Sequence, residues 1–394
     1  MKKRIKLLTA LLLTCAIIVP GTATAEEPIK EQNNVIPPVE LAENAISAVL
    51  LDADTGTIIY EKNGHEKLPP ASITKIMTML LVVEAIDAGK LKWTDKVRTS
   101  EYAASMGGSQ IFLEAGEEMT VDDMLKGIAM ASGNDASVAM AEKLAGTEAA
   151  FVELMNKRAK ELGMNDTHFA NCNGLPVDNH YSSAHDIAIM SRELLKHKDV
   201  TKYTGAYQDH LRKDSEKPFW LVNTNKLVRF YPGADGLKTG YTSEAKFCLS
   251  ATAVKDGMRV VAVVLGEPNT KTRNSEVSNM MDYAFSQYMM KTIYKKGDVI
   301  GKVQIEKGNI KEIEIIADTP YSVLMKRGAS DETTQQLTIP AEIKAPIAKG
   351  QVLGKLIVSQ DNKVLKEFEI KAAVDVEKAG FWKLFKRTTS DLFR

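Results

Sequence analysis

The stretch KLPPASITKIMTML, Lys67 to Leu80, decides how the rest of the chain is read. Pro69 and Pro70 precede an apolar run in which Ile76, Met77, Leu80 and Leu81 recur at the spacing of a buried helix face. A helix is therefore predicted from Ser72 to about Asp87. Positions three apart share a helix face, which brings the Lys75 amine within reach of the Ser72 hydroxyl. A serine hydroxyl is a poor nucleophile until an adjacent base takes its proton. Lysine can act so only when neutral, and its free pKa lies near 10.4, so the fold must depress it. Burial beside a second cation would do that. By itself the pattern is cheap. Ser243 and Lys246 repeat it in a predicted turn, and Ser72 alone serves equally well as a helix cap.

Two further motifs give the first one company. Ser132-Gly133-Asn134 follows 60 residues after Ser72, and Lys238-Thr239-Gly240 lies 106 residues beyond Ser132. Lys238 is the candidate for the second cation. The spacings leave room for a helical region between the first two motifs and a returning strand for the third. Individually, Ser132-Gly133-Asn134 reads equally as a helix junction and Lys238-Thr239-Gly240 as an ordinary edge strand.

Working outward, residues 1–25 place four cations ahead of an apolar run and small residues ending Ala23-Thr24-Ala25. That is a secretory signal with cleavage expected after Ala25. The run is too short for a spanning helix of about 20 apolar residues. A lipid anchor on Cys15 is disfavoured, because apolar sequence continues past it. The 394 residues carry 51 basic and 51 acidic side chains. Loss of the signal leaves a mildly acidic chain, which argues against nucleic acid as a partner. Cys172 and Cys248 are too few for a disulfide scaffold. Whether they pair stays open, with buried free thiols the favoured reading.

Residues 26–42 read as a linker, 43–290 as a catalytic domain, 291–374 as a β-rich domain and 375–394 as an amphipathic helix. In the catalytic part, AISAVLLDADTGTIIYEKN reads as a hairpin around Asp54-Thr55-Gly56. Thr120 with Asp123, and Ser183 with Asp186, read as helix caps. Further helices are predicted near Asp135, up to Gly163, and from Ser275 to Tyr288. GLKTGYT, KFCLSATAVK and MRVVAVVLG read as strands, the last two joined by Asp256-Gly257, a strong hairpin signal. Strands at both ends with helices between predict one antiparallel sheet packed with helices, α/β by content. In the tail, Phe381, Trp382, Leu384 and Phe385 oppose Lys383, Lys386 and Arg387, a pattern that suits lying on an anionic membrane, the favoured reading, or docking on the β-rich domain.

The three motifs in this order are those of serine β-lactamases and penicillin-binding proteins. With PPASITKIMT, SGNDAS, HYSSAHDIA and GADGLKTGYT, the chain resembles the low-molecular-mass penicillin-binding proteins that are serine-type D-Ala-D-Ala carboxypeptidases. The likeness extends to the β-rich module and the amphipathic tail, and so covers nearly the whole chain. It implies Ser72 as acyl-ester nucleophile, Lys75 as general base and Ser132 as proton relay. Asn134, Lys238, Thr239 and Gly240 would bind substrate, Asn134 holding the peptide amide and Lys75 in register and Gly240 leaving room along the strand edge. The backbone N–H groups of Ser72 and Tyr241 would form the oxyanion hole. No cofactor or metal is implied. The implied partners are peptidoglycan stem peptides, β-lactams as inhibitors, and a membrane surface on the outer face of the cytoplasmic membrane.

Other readings were weighed on residues. A class A β-lactamase needs a deacylating glutamate, and no E-x-x-L-N-like element lies between Asn134 and Lys238. A transpeptidase or endopeptidase shares the motifs. A silent wall-binding protein would not need Ser72, Lys75 and Lys238 intact. His168, His180 and His185 invite a zinc reading, but no H-E-x-x-H spacing exists.

Overall fold

The computed structural model describes Val39 to Phe385, apart from Lys217 and Asp331. The predicted signal, most of the linker and the last nine residues of the tail lie outside the described residues.

Strand β1 (Ser47–Asp52) is buried on both faces, as its SAVLLD composition requires. It turns back into β2 (Ile58–Lys62) through the loop expected at Asp54-Thr55-Gly56. There the Asp52 carboxylate accepts the Thr55 N–H at 2.7 Å and its hydroxyl at 2.6 Å. The sheet is completed by distant segments: β3 (Ala234–Thr242), β4 (Lys246–Lys255) and β5 (Met258–Glu267). The order is β2-β1-β5-β4-β3, antiparallel throughout. Asp256 and Gly257 both take positive φ (50° and 78°), as a two-residue hairpin requires. β3 is an edge strand, with Lys238 paired to Ser250 and Thr239 to Leu249 of β4.

Alternation along β1 feeds two cores. Val49 and Leu51 face a cluster shared with α1 (Lys75–Asp87), α2 (Asn134–Ala145), α3 (Glu148–Glu161) and α4 (Ala184–Leu194). Ala48 and Leu50 face the other way, onto Val277, Met280, Met281 and Ala284 of α5 (Thr270–Gln287). The sheet thus lies between a helical layer and one long helix. Thr120 and Ser183 cap as expected, accepting the N–H of Asp123 and Asp186. α5 begins five residues earlier than predicted, because the Asn269 side chain accepts the Thr272 N–H at 2.9 Å.

The chain after α5 forms short sheets around a separate core of Val303, Ile315, Val323, Leu356, Val358 and Ile370. The predicted runs are strands, from Val299–Glu306 to Lys363–Lys371. Tyr288–Tyr294 and Glu342–Lys344 are strands the pattern did not disclose. Among the described residues, no helix is long and apolar enough to cross a membrane.

Candidate active site

The helix predicted from Ser72 divides in two. Ala71–Thr74 form a 3₁₀ turn, and α1 proper begins at Lys75, with no side-chain cap on either. Close approach shapes this turn instead. Ala71 has φ 47°, in the left-handed region that non-glycine residues seldom occupy. Its carbonyl packs so tightly on Gly174 that a Cβ there would overlap the Ala71 oxygen. From the strand side, a Cβ on Gly240 would meet the Pro70 oxygen at 3.0 Å and Ala71 Cβ at 3.2 Å. Gly240 therefore lets the strand lie close against the Ser72 turn.

Lys75 is fully buried, and its Nζ donates to three oxygens. These are Ser72 Oγ at 3.0 Å, Asn134 Oδ1 at 2.6 Å and the Asn173 carbonyl at 2.5 Å. Burial lowers its pKa to about 7, while Cys172 and Asp135 pull the other way. Lys238, also buried, donates to the Thr239 carbonyl at 2.9 Å. Burial, then repulsion from Lys75, then from Arg273, holds Lys238 well below the usual lysine range. The two lysines thus share one electrostatic environment, in which burial is the largest influence on each.

Asn134 opens α2 and is fixed at every polar atom it offers. Its N–H donates to the Ser109 carbonyl and its Nδ2 to the Gly107 carbonyl, each at 2.7 Å, while Oδ1 takes Lys75. Its Oδ1 thereby holds the Lys75 amine in register. Just before it, Ser132 sits on left-handed backbone (φ 63°) at the end of a π turn, Gly127–Ala131, and is 4% exposed. Asp135 accepts the N–H groups of Ile111 at 3.0 Å, Leu113 at 3.1 Å and Ala136 at 2.8 Å, which ties the 107–113 loop to α2. Thr239 Oγ1 donates to Thr224 Oγ1 at 2.8 Å, and the exposed Tyr241 ring stacks on Phe247.

Sequence reasoning missed Asn173, Gly174, Asp135 and Arg273. Asn173 acts through its backbone carbonyl, which no side-chain pattern announces. Asn173-Gly174 is a turn signal that marks the place without the purpose. Arg273 is 4% exposed in the first turn of α5, where its Nε and Nη2 donate to Asn274 Oδ1.

The histidines are dispersed. His168 Nδ1 meets the Asn179 carbonyl, and His180 turns inward onto Thr74. His185 groups instead with Glu61 and His65, their ligand atoms within 4.8 Å. The His65 and His185 rings stack with centroids 4.3 Å apart at 26°, so an ion in the plane of one lies off the plane of the other. Cys172 and Cys248 are buried and unpaired with each other.

Residues 31–269 match the family model described as D-alanyl-D-alanine carboxypeptidase, and 288–378 match the penicillin-binding protein 5 C-terminal domain. The chain is 56% identical over 353 residues to the D-alanyl-D-alanine carboxypeptidase DacF of Bacillus subtilis, covering 89% of this chain and 91% of that protein. It is 29% identical to the Escherichia coli K12 carboxypeptidase DacA, covering 96% and 94% of the two chains. Penicillin-binding protein 5 of Haemophilus influenzae superposes with a TM-score of 0.70 at 30% identity, covering 85% of this chain and 98% of that one. For the peptidoglycan synthesis regulatory factor PBP3 of Streptococcus pneumoniae the TM-score is 0.72 at 29% identity, covering 85% and 99%. With the Ser72–Lys75 turn, the Ser132–Asn134 corner and the Lys238–Gly240 strand brought together on this fold, the chain belongs to the serine D-alanyl-D-alanine carboxypeptidase family of penicillin-binding proteins.

Proposed function

We propose that this protein is an exported serine-type D-Ala-D-Ala carboxypeptidase that removes the terminal D-alanine from peptidoglycan pentapeptide stems. The observation that carries the reading is the trio of oxygens around a buried Lys75 Nζ. A neutral amine has two N–H bonds and one lone pair. Asn134 Oδ1 and the Asn173 carbonyl can only accept, so they take the two N–H bonds and leave the lone pair for the Ser72 hydroxyl. With a pKa of about 7, that neutral form is well populated at physiological pH.

Ser72 Oγ attacks the carbonyl carbon of the penultimate D-alanine as its proton passes to Lys75. The oxyanion is held by the N–H groups of Ser72 and Tyr241. On collapse the C–N bond breaks, Ser132 delivers a proton to the departing D-alanine amine and takes the proton held by Lys75 in its place, and an ester remains on Ser72 with Lys75 neutral again. Water then adds to the ester, with Lys75 again taking the proton, and free acid and serine are restored. Lys238 and Arg273 are two buried basic groups whose mutual repulsion the substrate's terminal carboxylate, beside Thr239, would relieve. A β-lactam would acylate the same hydroxyl.

The test has two arms. A fluorescent penicillin should leave one covalent adduct, mapped to Ser72, and diacetyl-Lys-D-Ala-D-Ala should release D-alanine. A folded protein that stays unlabelled rejects the acyl-enzyme, and labelling without D-alanine release rejects the carboxypeptidase.

We further infer export through residues 1–25, a catalytic domain over 43–290, a β-rich domain over 291–374 and peripheral attachment to the outer face of the cytoplasmic membrane through 375–394. In the described part of that tail, Phe381 to Phe385 are helical, and Phe381, Trp382 and Phe385 are each more than half exposed, which supports the reading. A chain ending at Asp375 should lose binding to vesicles containing anionic lipid; unchanged binding refutes the tail as anchor.

A further inference from the structure

A short hydrogen-bonded relay ends on the peptide unit beside the nucleophile. The Ala170 N–H lies 2.9 Å from His180 Nδ1. A backbone N–H can only donate, so Nδ1 carries the lone pair and the neutral ring has its hydrogen on Nε2. Nε2 is 2.7 Å from Thr74 Oγ1, and the Thr74 hydroxyl in turn donates to the Ala71 carbonyl at 2.8 Å. That carbonyl and the Ser72 N–H are opposite ends of one planar peptide unit. Whatever holds the oxygen therefore aims the N–H.

The unit needs holding. Ala71 is strained at φ 47°, and only a glycine at 174 leaves space for its carbonyl. His180 and Thr74 are themselves buried. Burial, reinforced by His168 and Lys75, keeps the ring's pKa down at about 4, so it stays in the neutral form that the relay uses.

We propose that His180 is a positioning residue that acts through Thr74 Oγ1 to lock the Ala71–Ser72 peptide with the Ser72 N–H facing the oxyanion. The proposal rests on the oxyanion role of that N–H given above. His180 touches no reacting atom. Its effect belongs to the acylation step, where the oxyanion forms, and not to the initial encounter with ligand.

The test is penicillin acylation by the full chain, with the noncovalent dissociation constant separated from the acylation rate constant. Thr74→Val and His180→Asn should each slow acylation about 10–100-fold, part of the 10²–10³ typical for losing an oxyanion donor. Their dissociation constants should stay within about threefold of the parent, on the same differential-binding logic. His180→Asn keeps an acceptor for Ala170 but does not reach Thr74, so it separates the relay from the local fold. Thr74→Ser restores the hydroxyl and should restore the rate. Parent-like rates in folded Thr74→Val and His180→Asn overturn the proposal. So does a loss confined to the dissociation constant, or a Thr74→Ser variant as slow as Thr74→Val. If His180→Asn does not fold, the Thr74 pair decides. Labelling of unaltered Ser72 is the reference, so failure of the relay leaves the carboxypeptidase reading standing, whereas an unlabelled parent removes both.

Discussion

Two places in this chain set a serine three residues ahead of a lysine. At the first, a 3₁₀ turn runs into α1, Lys75 is withdrawn from water, and three oxygens surround its nitrogen. At the second, Ser243 and Lys246 flank the turn between β3 and β4, and both are exposed. That turn is closed locally, by the Ala245 N–H on Thr242 Oγ1 at 2.9 Å and by a positive φ of 57° at Lys246. The spacing is the same in both places, and at the first the Lys75 amine lies 3.0 Å from the Ser72 hydroxyl. Only removal from water turns the amine into a base, because an ammonium in solvent keeps its proton far above neutral pH.

The contrast can be broken or sharpened by experiment. Ser72→Ala should lower β-lactam acylation and D-alanine release by on the order of 10⁴-fold or more, the scale of losing a nucleophile. Ser243→Ala should leave both within about twofold, as an exposed site away from the chemistry predicts. Intact-mass measurement after penicillin treatment reads the two directly. Next, Lys75→Ala should slow acylation about 10²–10⁴-fold in a protein that keeps its circular dichroism, while Lys246→Ala changes little. Comparable losses in both lysine variants would erase the distinction.

A third measurement sharpens it with pH. Only deprotonated Lys75 accepts the Ser72 proton, and its pKa is lowered to about 7. Acylation should therefore climb about tenfold per pH unit below 7 and level off above it. A profile still rising steeply at pH 9 would mean that Lys75 is not discharged by burial. The smallest effect concerns the turn alone. Gly240→Ala would press a methyl on Pro70 and Ala71 at 3.0–3.2 Å, and should cost about tenfold in acylation through displacement of Ser72.

Much of this was legible from residues. Alternation in SAVLLD and the Asp256-Gly257 hairpin disclosed the sheet, because each signal is local. The three motifs disclosed Ser72, Lys75, Ser132, Asn134 and Lys238, because their chemistry lies in side chains. What escaped lies in backbone and in burial. Asn173 contributes a carbonyl that any residue would offer. Arg273 looks like one more surface cation in a polar helical stretch until α5 is packed against the sheet. The start of α5 rests on the Asn269 cap, a local signal that lies ahead of the expected helix. Tyr288–Tyr294 begins where the expected helix ends, with no turn residue between them to announce a strand.

The edge position of β3 has a cost outside catalysis. An unpaired strand border is a template on which another chain can dock, and proteins commonly blunt such borders with outward charge or proline. Here the strand's lysine points inward. Side chains answer instead: Thr204 and Asn225 bind the carbonyls of Asp235 and Gly236 at 2.8 and 2.9 Å. The border left open is thereby shortened toward the residues next to Ser72.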